Sequence, residues 1–563
     1  AWSIEELNDE TGLYTEEKLM VALDNIVTSK MEEKEIIKSF IQVSLELTSQ
    51  VEPRWQEIAA KLYVKNLYEE VRTNRGLEEG ANPYDNFYGF IKELTDKGLY
   101  GKYILDNYSK EDIEELEKEI KRERDFLFTY SGINLLAKRY LVQDFNRLPL
   151  ELPQQMFMGI AMHLAIPEKK EKRLYWAKRF YDVLSSIKAT MATPTMSNAR
   201  KPFYQLSSCF IDTVDDSLAG IYKSLDNFSK VSKFGGGMGI YMGKVRALGS
   251  AIRGFKGASG GIIPWIKLFN DTAIAVDQLG VRNGSVAIWL DAWHKDLPEF
   301  LQIKTNNGDD RKKAHDIFPG LCYPDLFWKL AENDIDANWY MMCPHEIKTV
   351  KGYSLEDFYG EEWEKKYYEC VEDDRIEKRV MSVKDIVRLI IKSAAETGTP
   401  FAFYRDTVNK FNPNKHKGMI YSSNLCTEIM QNMSAMEIEQ TEIKDENGDV
   451  VVIEKTKPGD FVVCNLSSVV LGNVDVTSDE EVEYVVETQI RAMDNVIDLN
   501  YYSVPFAEIT NKKYRAVGLG TSGYHHMLVN NKIVWDSEEH LNFVDKVYER
   551  INFYAIKASL NIA

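Results

Sequence analysis

The chain reads as an α/β protein with a helical N-terminal region. Over roughly the first 150 residues, apolar positions recur at helical spacing. From about residue 190 glycine becomes frequent, and short β-rich runs alternate with helical stretches, the pattern of a parallel sheet or barrel. Of the 563 residues, 44% are hydrophobic, which suffices for a large core and argues against disorder.

The elements follow in order. Ala60, Val64, Leu67 and Val71 fall on one helix face. Ser109 and Asp112 form a capping-box start for a second helix, with Ile113, Leu116, Ile120 and Leu127 as its apolar stripe. The charge run at 111–124 is its solvated face. Residues 203–211 are predicted as a strand. Residues 217–233 are predicted as a helix with Leu218, Ile221, Leu225 and Phe228 on one face. Residues 286–290 read as a strand and 380–396 as a helix. Asp445-Glu446-Asn447-Gly448 separates 442–444 from 450–454 and signals a hairpin, since Asn-Gly suits a tight β-turn. Pro458-Gly459-Asp460 then turns the chain into a strand at 461–464.

Composition excludes several functions. Lys and Arg total 69 against 87 Asp and Glu, a net charge of −18. A broad nucleic-acid surface needs the opposite sign. No apolar run approaches the roughly 18 residues of a membrane span. The softest, 157–166, is interrupted by His163. A large cytoplasmic enzyme or scaffold is expected, with no nucleic acid or membrane as partner. The six cysteines include no C-x-x-C pair, so a four-thiolate metal site is not expected. Cys343-Pro-His345 and His525-His526 lack partners at metal-ligand spacing. No metal or other cofactor is expected to be bound by this chain.

Three motifs remain. Gly518-Leu-Gly520-Thr-Ser-Gly523 matches the dinucleotide fingerprint, but the strand before it is short, and a tight strand-to-helix turn explains it equally. Gly235-Gly-Gly-Met-Gly239 precedes a loop holding Lys244, Arg246, Arg253 and Lys256 among further glycines. Glycine lets backbone N–H groups approach an anion and Arg offers a bidentate fork, so this is a candidate nucleotide-phosphate site. Asn424-Leu-Cys426-Thr-Glu428 would place an amide, a thiol and a carboxylate on one face of an extended segment. A carboxylate beside a thiol disfavours the thiolate. The arrangement therefore suits a neutral thiol that loses a hydrogen atom, with the carboxylate acting on a substrate hydroxyl.

Taken together, several segments resemble the large catalytic (alpha) subunits of class I ribonucleotide reductases. Asn424-x-Cys426-x-Glu428 is similar to that family's finger-loop signature. Gln205-Leu-Ser-Ser208-Cys209 and Cys464-Asn-Leu466 resemble its two redox-cysteine strands, and Thr193-Pro194-Thr195-Met196 the segment lining its substrate site. Asp216-Ser217-Leu218, the loop 244–261 and Gln278-Leu-Gly280-Val-Arg282 resemble its effector-binding helix and loops, and Asp291-Ala-Trp293-His294 follows in the family order.

The resemblance implies a ten-stranded α/β barrel threaded by the finger loop. It divides the chain into a partial ATP-cone-like helical region at 1–75, a helical domain at 76–190 and the barrel at 191–563. It implies reduction of ribonucleoside diphosphates through a thiyl radical on Cys426, with Glu428 taking the 3′-hydroxyl proton and Asn424 holding the substrate. Cys209 and Cys464 would supply the reducing equivalents, and Thr193 and Ser208 would contact substrate. Asp216, Arg246, Gln278 and Arg282 would bind a nucleoside triphosphate effector (ATP, dATP, dTTP or dGTP). The implied partners are a separate, metal-containing radical-generating subunit, a thioredoxin- or glutaredoxin-type reductant and a second copy in a homodimer.

The family pattern extends beyond the position matching residue 563, so the barrel is expected to be incomplete within this chain. Either the chain is part of a longer protein or a second chain completes the barrel. By itself the chain is expected not to turn over. The alternatives are a nucleotide-binding regulatory part of a split reductase, a class II reductase using adenosylcobalamin, and a dinucleotide-dependent oxidoreductase using Gly518–Gly523.

Overall fold

A computed structural model describes residues 14–24, 26, 31–276 and 284–563. Gln278 and Arg282 lie outside the described residues. Two compact units form: Ala1–Leu206 with Leu466–Tyr501 and Leu519–Ala563, and Ser207–Asn465 with Tyr502–Gly518.

The first unit is mainly helical. Trp55–Asn74 buries Ala60, Val64, Leu67 and Val71, as the spacing predicts. Lys110–Glu117 begins with the expected capping box, Ser109 and Asp112 bonding each other's backbone N–H. That helix stops ten residues short of Leu127. Arg122–Leu127 is a 3₁₀ turn, held because Asp125 is buried and accepts from Tyr68, Tyr84 and Gln154. Pro153–Leu164 is buried on every side, which accounts for the apolar run at 157–166 without a membrane. No helix among the described residues is long and apolar enough to cross one.

The second unit is built on a six-stranded sheet. Its strands are β1 (Cys209–Thr213), β2 (Gly237–Tyr241), β3 (Val286–Asp291), β4 (Ile317–Tyr323), β5 (Phe401–Tyr404) and β6 (Val462–Cys464). Their spatial order is β6-β1-β2-β3-β4-β5. Neighbours from β1 to β5 are parallel, and β6 runs antiparallel to β1. The middle strands are continuous apolar runs, as parallel strands covered on both faces require. Helix α1 (Leu218–Lys233), capped by Ser217, and helix α2 (Ile263–Ala275) pack Ile221, Phe228, Ile266 and Phe269 into the core with Phe210, Met238, Ile240 and Ile288.

Three sequence expectations change. The strand predicted at 203–211 is confined to Cys209 onward. Before it, the Leu206 N–H bonds the Asn500 side chain, and the Gln205 and Leu206 carbonyls accept from Asn198 and Thr195 side chains, so the backbone has no strand partner. The helix predicted at 380–396 starts at Val383, because Arg379–Ser382 pairs with Asn338–Met341 and Ser382 caps the helix. The hairpin is present but longer, Glu437–Lys444 against Val450–Lys457.

Candidate active site

The strand register builds the site. Cys464 of β6 stands directly opposite Cys209 of β1. Opposed residues of an antiparallel pair have Cα atoms about 4.5–5.5 Å apart, within the span of a disulfide. Both thiols are buried and unbridged. The Cys426 thiol reaches the same place from the loop after Tyr421 and is a hydrogen-bond partner of Cys209. Three sulfurs far apart in sequence thus meet at one edge of the sheet.

Asn424, Cys426 and Glu428 do not lie along a simple extended strand. The segment turns at Leu425–Cys426, and Thr427 has φ 68°. Asn424 Oδ1 closes the turn by accepting the N–H groups of Glu428 and Ile429, each at 3.1 Å. Cys426 is left exposed at the tip. The glycine run has a different role from the one the sequence suggested. Gly237 and Gly239 are on β2, not in a phosphate loop, and they clear a path for this turn. A Cβ at Gly239 would lie 2.2 Å from the Ser423 carbonyl, and one at Gly237 would lie 2.9 Å from Leu425.

Burial raises the Glu428 carboxyl above its ordinary range, the nearby Asn424 amide opposing the shift and Cys209 adding to it. Burial also pushes the Cys464 thiol well up. Cys209 moves down because Cys426, then Cys464, donate to its sulfur. The pair titrates as a unit, with Cys209 the first to ionise. The buried Asn424 Nδ2 and Ser208 Oγ have no well-formed hydrogen bond among the described residues; both lie near the Cys209 sulfur, a weak acceptor, and the Asn424 amide also lies near the Glu428 carboxyl. Unsatisfied buried donors of this kind call for a polar ligand. Cys322, Cys343 and Cys370 are buried with raised thiol pKa values, as expected of core residues.

Asp216 and Arg246 meet in a second cluster. The Arg246 guanidinium grips the Asp216 carboxylate, with Nε 3.0 Å from Oδ1 and Nη2 2.9 Å from Oδ2, and the Arg246 N–H bonds Oδ1 at 3.0 Å. His345 Nδ1 lies 3.1 Å from Asp216 Oδ2. The sequence held no sign of this contact, because His345 arrives from beyond β4. Lys244 is not available for an anion, since its ammonium pairs with Glu356 and Asp357 at 3.0 Å each. Thr193 opens the short helix Thr193–Asn198 of the first unit, its Oγ1 3.3 Å from the Tyr140 hydroxyl.

Gly518–Ser522 is itself a strand, and only Gly523, φ 70°, caps the following helix. A dinucleotide loop needs the glycines in the turn, so the fingerprint is not met. Among the described residues no cluster of three or more His, Cys, Asp or Glu is placed to hold a metal ion.

Residues 207–563 match the family profile described as the ribonucleotide reductase barrel domain. The chain belongs to the ribonucleotide reductase family. Residues 126–204 match that family's all-alpha domain. The chain is 58% identical over 532 residues to a ribonucleoside-diphosphate reductase subunit alpha of Treponema pallidum, covering 94% of this chain and 62% of that protein. It is 38% identical over 567 residues to the Helicobacter pylori subunit, covering 95% and 69%. The Synechocystis subunit is 35% identical over 555 residues, covering 96% and 66%. The chain therefore spans about two thirds of the length of these relatives. The cysteine site and the Asp216 cluster both fall within the reductase barrel match, and Thr193 falls within the all-alpha match.

Proposed function

We propose that the protein reduces ribonucleoside diphosphates to 2′-deoxyribonucleoside diphosphates as the large subunit of a class I reductase. The observation that carries this reading is the convergence of Cys426, with Glu428 close by in its loop, on the in-register Cys209–Cys464 pair. A partner radical subunit removes the Cys426 hydrogen atom. The thiyl then abstracts the substrate 3′ hydrogen, and Glu428, whose raised pKa suits a general base, takes the 3′-hydroxyl proton. The 2′-hydroxyl leaves as water with a proton from the cysteine pair. Cys209 and Cys464 supply two electrons and end as a disulfide. Cys426 returns the hydrogen atom to C3′. Asn424 Nδ2 and Ser208 Oγ, which lack well-formed hydrogen bonds among the described residues, bind substrate polar groups.

A thioredoxin- or glutaredoxin-type dithiol resets the disulfide. Asp216 and Arg246 bind a nucleoside triphosphate effector, with Asp216 exchanging Arg246 for the effector sugar. Helix α1 forms a homodimer interface, and the protein works in the cytoplasm.

The test is Cys426→Ser in the full-length protein with its radical subunit and a dithiol. Deoxynucleotide formation should vanish while dTTP binding persists. Turnover in that variant would rule the thiyl role out.

A further inference from the structure

The loop that carries Arg246 leaves β2 directly over the base of the finger loop. Its first cation, Lys244, lies with its ammonium 4.5 Å from the centre of the Tyr421 ring. Tyr421 stands three residues before Asn424. Its ring stacks on Tyr241 of β2 at 5.0 Å and 5°, and its hydroxyl donates to Asp357 at 2.6 Å. Asp357 and Glu356 are also the partners of Lys244. The Tyr421 carbonyl is held by Arg405 Nη2 at 3.0 Å, and Arg405 is fixed by Asp291 at 2.6 Å. The root of the finger loop is thus fastened on one side to the sheet and on the other to Lys244.

Two residues further on, the Arg246 backbone N–H and guanidinium are both bonded to Asp216. A ligand that takes the Asp216 carboxylate must break both bonds. Val245, between them, is buried, and its carbonyl lies 2.9 Å from His294 Nε2. With its centre held there, the segment pivots rather than slides. Release at Arg246 therefore turns Lys244 against the Tyr421 ring.

We propose that Lys244 is a positioning residue that couples the effector site at Asp216 and Arg246 to the Cys426 loop through Tyr421. The proposal rests on the effector reading of that site given above. It supplies a contact between effector site and catalytic loop made entirely of described residues, and it needs no contact between Lys244 and either ligand.

Cys426 is exposed, so its alkylation rate reports where the loop stands. The experiment measures dTTP binding by the full-length protein, then N-ethylmaleimide labelling of Cys426 by peptide mass spectrometry with and without saturating dTTP. In the natural protein dTTP should change the labelling rate at least about fivefold, the low end of ordinary allosteric coupling. Lys244→Met should still bind dTTP but label at one rate with or without it, and Lys244→Arg should restore the response. Glu356 is buried with a raised pKa, so it can accept a proton when the ammonium is lost and need not unfold the protein. Tyr421→Leu, which removes the ring and keeps Lys244, should lose the response in the same way.

A natural protein that binds dTTP without a change in labelling would overturn the coupling. So would Lys244→Met and Tyr421→Leu variants that respond as the natural protein does. Failure of the natural protein to bind dTTP would instead strike the effector reading, at a separate step.

Discussion

At the scale of single residues, two carboxyls with raised pKa values, one partly desolvated and one fully buried, decide the pH behaviour. Glu428 must be ionised to accept a proton, and burial raises its pKa. Activity should be complete above that raised value and fall as pH drops through it. The acid limb of kcat/KM should therefore lie above the ordinary glutamate value of about 4.3. Glu428→Gln should lower turnover about 10²–10⁴-fold and erase that limb. An unchanged limb would place the titration elsewhere. Asp212 on β1 is the opposite case, a carboxyl with no catalytic partner. It is fully buried between Ser224 and Asn227 of α1, and burial pushes it up to about 7. The folded state holds its proton more tightly than the unfolded state does. Stability is therefore highest below the ordinary aspartate range and declines as pH rises through about 7. Asp212→Asn should stabilise the protein above pH 7, by no more than the roughly 4 kcal/mol that a three-unit shift represents, which a higher melting temperature would show, with the gain fading toward pH 4. Neither residue's environment could be read from the sequence, because burial is a property of the assembled sheet. The presence of Cys426 and Glu428 in one loop was legible, because both sit in one short motif, but the meeting of Cys426 with Cys209 was not.

At the scale of elements, what could be read depended on whether the signal was local. Helix α1 appears where its apolar stripe predicts it, with Ile221 and Phe228 buried, although Leu218 at its first turn is exposed. The hairpin appears because Asn447-Gly448 marks its turn. The strand at 203–211 and the helix start at 380 were misplaced because distant groups, the Asn500 side chain and the strand Asn338–Met341, claim those backbones. The glycines of β2 were misread for a related reason. Composition cannot separate a glycine that cradles a phosphate from one that makes way for another backbone. Gly239 tests the second meaning. A methyl group there would lie 2.2 Å from the Ser423 carbonyl and 2.8 Å from Asn424 Cα. The sheet is the stiffer body, so the finger loop gives way. Gly239→Ala should keep the far-UV circular dichroism and dTTP binding yet lose about 10²-fold in turnover, the usual effect of a displacement near 1 Å at reacting groups. Normal turnover would mean the loop has room to spare.

At the scale of the whole molecule, the Cys209–Cys464 pair ties together chain segments 255 residues apart. The β6–β1 pairing holds the two cysteines opposite each other before any bond forms. Oxidation therefore costs the folded state little strain and acts mainly on the unfolded chain, which loses the freedom to open that loop. The chain-entropy account puts this at about 5 kcal/mol for a loop of this length, near the top of what disulfides contribute. Spread over the unfolding entropy of a protein this large, that is a rise of a few degrees in melting temperature. The oxidised protein, prepared by one turnover without reductant or with diamide, should melt a few degrees above the reduced protein. Cys464→Ser should abolish the difference. Equal melting of the oxidised and reduced forms, with the bond verified by mass spectrometry, would mean that the folded site is strained by the disulfide. The resting site would then be set for the dithiol state, and the same strain would make the disulfide easier for an external dithiol to reduce.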